Sequence, residues 1–100
     1  MSPAEYKDIY HEVVETQGAA KQWGYVQEEC AELIAIVHQH IVRGRKSLDD
    51  LVEELVDVEI MLKIARVIIN KDNPDIWEKW QGLKVKKMAD QLRLGWRTFK

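Results

Sequence analysis

Apolar residues recur on a helical period through most of this chain, and no period-two alternation survives for more than a few residues. That pattern leaves little room for a sheet and predicts an all-α fold. Ser2, Pro3 and Glu5 supply a cap, a first-turn proline and a capping-box acid for a helix expected to run to about Gln17 and stop at Gly18. A second helix is expected from Ala19 to about Val42, with Gly44 as its stop and Gly24 as a weak point near its start. After the basic loop Arg43-Gly44-Arg45-Lys46, Ser47 with Asp50 three residues on caps a third helix that should reach roughly Asn70. Asn73 and Pro74 open a fourth, extending toward Trp96. Short connections between these segments predict a four-helix bundle-like protomer, with residues 1–100 forming one domain.

Composition narrows the partners. With 17 acidic and 15 basic residues and a pI near 5.9, the chain has no electrostatic footprint for tracking a nucleic-acid backbone. A phosphate-rich ligand would need metal ions to mask its charge. The single cysteine, Cys30, cannot close an internal disulfide, and its surroundings read as helix core. No apolar run approaches the length of a membrane span and the N-terminus lacks a signal-peptide core, so a cytoplasmic protein with no membrane partner is expected.

Four carboxylates stand out against this background. Glu29 and Glu32 on the second helix, and Glu54 and Asp57 on the third, are each spaced three apart, so each pair projects from nearly one side of its helix. On the second helix Val26, Cys30, Leu33, Ile36, Val37 and Ile41 share a face, with Glu29 inside that arc and Glu32 at its edge. On the third, Leu51, Leu55, Val58, Met61, Leu62, Ala65 and Ile69 make the corresponding face. Glu54 falls between Met61 and Val58, and Asp57 points near Ile64 and Ile68. Glu28 and Glu53 point toward solvent and read as surface charges.

Burying an uncompensated carboxylate costs roughly several kcal/mol or more, so such groups are neutralised, paired or bound to metal. A magnesium site is the first hypothesis. Ion pairs with Lys84, Lys87 or Arg66 from neighbouring helices are the alternative. All-oxygen donors, with no histidine at carboxylate-helix spacing and no second cysteine, suit magnesium or manganese better than zinc or iron. A di-iron bundle would want Glu-x-x-His repeats, and His38 and His40 follow Glu32 by six and eight residues. His11, His38 and His40 therefore read as surface or packing residues.

The segment Gln27-Glu28-Glu29-Cys30-Ala31-Glu32-Leu33-Ile34 is followed, after the basic loop, by Glu53-Glu54-Leu55-Val56-Asp57-Val58. Together they resemble the ExxE and ExxD signature of MazG-like nucleotide pyrophosphohydrolases, the all-α group that includes dimeric dUTPases, dCTP pyrophosphatases and phosphoribosyl-ATP pyrophosphatase. Either tetrapeptide alone is weak evidence. Their pairing within apolar helices, separated by 21 residues that contain an Arg-Gly turn, is more specific, and the likeness is strongest from about Trp23 to Arg66. The resemblance implies hydrolysis of a nucleoside triphosphate to a nucleoside monophosphate and pyrophosphate, in a house-cleaning role. It implies Glu29, Glu32, Glu54 and Asp57 as ligands of Mg2+, with Mn2+ a substitute. Glu29 and Glu32 would be the catalytic carboxylates, and Glu32 the acceptor of the attacking water's proton. Trp23 would stack on the base, while Lys84 and Lys87 resemble basic positions that reach phosphates. Arg43 and Arg45 lie at a helix C-terminus, where cations are favoured anyway.

Ile60, Val67 and Val56 point away from the main arc of the third helix, which is therefore apolar on most of its circumference. A homodimer or homotetramer would cover it, and the resemblance implies the same. Trp77, Trp80 and Trp96 read as packing or subunit-contact residues. A non-catalytic helical oligomerisation or interaction module remains the alternative to an enzyme, and a redox carboxylate bundle is weakened by the missing histidines.

Overall fold

The computed structural model describes residues 1–94, and the described residues are helical with no strand: α1 (Pro3–Gln17), α2 (Ala19–Val37), a π-helical turn (His38–Val42), α3 (Leu48–Asp72) and α4 (Ile76–Arg93). Trp96 lies outside the described residues. Local chemistry accounts for most boundaries. At the start of α1 the Glu5 amide donates to Ser2 Oγ at 3.3 Å and the Ser2 amide donates back to Glu5 Oε1 at 3.3 Å, satisfying two otherwise orphaned donors. Gly18 ends the helix at φ 87, a left-handed conformation that a side chain would strain, and its amide donates to the Val14 carbonyl at 2.9 Å.

Ser47 and Asp50 repeat the reciprocal cap on α3, at 3.2 and 3.3 Å. Replacing Ser47 with alanine is expected to cost about 0.5–2 kcal/mol, because it orphans the Asp50 amide. Thermal unfolding at fixed protein concentration reads this directly. An unchanged midpoint would mean that packing, not the cap, holds the start of α3.

Two boundaries differ from expectation. Regular helix does not continue to Val42, because the last turn widens at His38–Val42. There the Arg43 amide reaches back five residues to the His38 carbonyl at 3.3 Å, and the Arg45 amide reaches Gln39 at 2.9 Å. His40 Nδ1 bonds the Lys46 carbonyl, and Gly44 turns the chain at φ 63. The loop thus closes back onto the helix end, and the wider turn accommodates the closure. At the other end of α3, Asn73 and Pro74 do not enter the fourth helix directly. They form a turn in which the Ile76 amide meets the Asn73 carbonyl at 3.4 Å, and α4 begins at Ile76 with no side-chain cap from Asp75.

The chain forms two compact units, Met1–Ile68 and Ile69–Lys100. In the first, Ile64 and Ala65 are the fully buried apolar residues, and Gln22 is buried while donating through Nε2 to Gln17 Oε1 at 2.9 Å. The apolar arcs are only partly covered. Val26, Cys30, Leu33 and Ile36 are half-buried, but Val37 and Ile41 are exposed. On α3, Val58, Met61, Ile60 and Val67 are half-buried, while Leu55, Val56 and Leu62 are exposed. Ile34 on α2 is 73% exposed. No helix among the described residues is long and apolar enough to cross a membrane.

Candidate metal centre

The acidic pairs belong to the first unit, where α2 and α3 carry them. Glu54 and Asp57 lie one turn apart on α3 and project from the same side. Glu29 comes from α2. One carboxylate oxygen from each of Glu29, Glu54 and Asp57 lies within 4.8 Å of the other two, and all three residues are half-buried. At such a separation each pair of unit charges repels by on the order of 3–4 kcal/mol at an effective dielectric of 20.

Two of these oxygens are buried more deeply than their side chains as a whole. With both groups ionised, Glu29 Oε2 and Glu54 Oε1 are shielded from water and accept no hydrogen bond from the described residues. The two carboxylates can bond each other only when one is protonated. That hydrogen bond from Glu29 to Glu54 is the chief reason the Glu29 carboxyl is held above the ordinary carboxylate range, with burial and the charges of Glu54, Asp57 and Glu28 adding to it. Basic side chains were the alternative neutralisers of these acids, and among the described residues none satisfies these two atoms.

Glu32 stands apart from the cluster of three. Its side chain is exposed, yet its carboxyl is also raised, first by the neighbouring charge of Glu29 and then by burial and the charges of Glu28 and Asp57. It therefore shares the field of the cluster without joining it. Glu28 and Glu53 are exposed. His11 and His38 are exposed too, and His40 is occupied at Lys46.

The remaining expected contacts are distributed across both units. Trp23, on α2 in the first unit, presents an indole that is 42% exposed. Lys84 and Lys87 are exposed on α4 in the second unit. That unit contains a feature not read from the sequence, a cleft of about 460 Å³ lined by Ile69, Ile76, Trp77, Trp80, Gln81 and Lys84. Its lining is almost wholly apolar, so the cleft is chemically unlike the acidic cluster. The signal was present in the pairing of Trp77 and Trp80 with Ile76, but the contribution of Ile69 depends on how the chain turns between α3 and α4.

The donor set suits a hard divalent cation. Three carboxylates offer only oxygen, and two of their atoms lack any other partner among the described residues. A soft or redox metal would find no thiolate or imidazole within the group. Compared with known proteins, the chain matches no family model, no curated protein and no solved structure.

Proposed function

We propose that this chain is a magnesium-dependent, MazG-like nucleoside triphosphate pyrophosphohydrolase, acting on dNTPs or non-canonical NTPs and releasing nucleoside monophosphate and pyrophosphate. The observation that carries the reading is the buried, unsatisfied pair Glu29 Oε2 and Glu54 Oε1 inside a carboxylate cluster. A helix pair that merely displayed acids to a partner would leave them in water, where they cost nothing to hold. Buried carboxylates must be protonated or matched by a counter-charge, and a cation supplies that charge once the pH is high enough to ionise them.

Glu29, Glu54 and Asp57 would hold the ion. When bound, magnesium neutralises the triphosphate and lowers the pKa of a coordinated water. Glu32 is assigned the water's proton: it is exposed and lies one turn from Glu29 on the same side of α2. Trp23 is assigned to stack on the nucleobase through its exposed indole face. Two or four copies are proposed to assemble, since the exposed Leu55, Val56 and Leu62 leave α3 apolar surface uncovered in one chain.

A panel of canonical and modified NTPs and dNTPs, incubated with magnesium and then with EDTA, tests the chemistry. Pyrophosphate is expected with the metal and not with the chelator. Inactivity across the panel would favour a helical interaction module instead.

A further inference from the structure

Helix α4 brings two tryptophans and one lysine to a single hollow. The cleft of about 460 Å³ lies wholly within the second unit, where Ile69 and Trp77 are half-buried and Ile76, Trp80, Gln81 and Lys84 are exposed around them. Trp77, Trp80, Gln81 and Lys84 share a side of the helix at spacings of three and four. The volume falls in the range of small-molecule sites, which join apolar walls to a few polar groups that fix orientation. Two indoles offer flat apolar surface toward the start of α4, and the helix rises about 10 Å from Trp77 to Lys84.

The charge lining this cleft is one cation. Lys84 has no carboxylate within ion-pair distance among the described residues, whereas Lys86, two positions on, is held by Asp90 at 2.9 Å. No acidic side chain of the described residues lines the cleft. A polyphosphate would bring several negative charges to a single ammonium, with no carboxylate at hand to hold a masking metal. A neutral hydrophobe would make no use of the ammonium. A flat acid with one negative charge matches both the indoles and the lysine.

We propose that the cleft binds a small aromatic monocarboxylate, its ring system against Trp77 and Trp80 and its carboxylate at Lys84. Gln81, one turn before Lys84 on the same side, can donate a second hydrogen bond to that carboxylate through its amide. The assignment gives Lys84 a carboxylate in place of a phosphate, and it does not depend on the acidic cluster being catalytic.

Titration calorimetry on the full chain in EDTA, with naphthoate and its neutral analogue naphthamide, tests it. The acid is expected to bind about tenfold more tightly, the low end of what a charged hydrogen bond contributes, because Lys84 is exposed. Lys84→Met should erase that preference while leaving naphthamide bound, and Lys86→Met should keep it. Trp80→Ala should weaken both ligands by about tenfold or more. Positions 80 and 84 are both exposed, so neither substitution opens a hole in buried packing. Equal binding of acid and amide, a preference that survives Lys84→Met, or no binding of either ligand would overturn the proposal. So would tighter binding of octanoate than of naphthoate, which would make this a fatty-acid site, or displacement of naphthoate by a nucleoside triphosphate, which would make it a polyphosphate site.

Discussion

Glu54→Gln is expected to lower pyrophosphate release by roughly 10²–10³-fold, the range for loss of one electrostatic catalytic group, while raising the thermal midpoint of the metal-free protein. Both effects come from one atom. Glu54 Oε1 is buried without a donor and adds negative charge beside Glu29 and Asp57. A glutamine of the same shape removes that charge and can turn its amide toward Glu29 Oε2, supplying the missing donor. Satisfying a buried group of this kind is worth about 1–3 kcal/mol. For a domain of this size each kcal/mol moves the midpoint by about 4–8 °C. A mutant that loses activity by unfolding would show the opposite sign in the melt, so the two measurements together discriminate. Retained activity would remove Glu54 from the site, and a lower midpoint would make it a structural anchor.

The second large effect links metal to pH. In the folded, metal-free chain the Glu29 carboxyl holds its proton to higher pH than the ordinary value of 4.5, because Glu54 accepts a hydrogen bond from its protonated form. The folded state therefore binds more protons than the unfolded state between those two values. The contribution of Glu29 to stability is fully present below pH 4.5 and is lost as the pH rises through the raised, folded value. A divalent cation reverses the trend, since it binds the ionised carboxylates and displaces the proton.

Thermal midpoints in EDTA should thus show a loss from this group as pH climbs out of the acid range. Magnesium or manganese should restore stability at pH 7–8 and do little near pH 4. At a hundredfold excess over Kd the gain is about 2.7 kcal/mol, or roughly 10–20 °C for a chain this small. Asp57→Asn should shrink that gain. A midpoint indifferent to metal at neutral pH would sink the metal reading, whatever the activity assay showed.

The helices were legible because their signals are local. Ser2 with Glu5, and Ser47 with Asp50, close hydrogen bonds within four residues, and Gly18 and Gly44 take positive φ where they were expected to stop the chain. The turn at His38–Val42 was not legible. It depends on Arg45 and Lys46 folding back to Gln39 and His40, a closure that helical periodicity does not encode.

The site divides along the same line. Spacing alone put Glu54 beside Asp57 and Glu29 beside Glu32, since residues three apart share a helix face whatever surrounds them. Which of the four converge depends on how α2 and α3 are rotated about their axes. That rotation brings Glu29 to Glu54 and Asp57 and leaves Glu32 in water, although Glu29 and Glu32 have the same helical spacing as the α3 pair. Local order in a helix is written every few residues along the chain, whereas contact between helices depends on the packing of many side chains at once. The carboxylates could therefore be singled out from their spacing, but the burial of Glu29 Oε2 and Glu54 Oε1 could be seen only after the helices had packed.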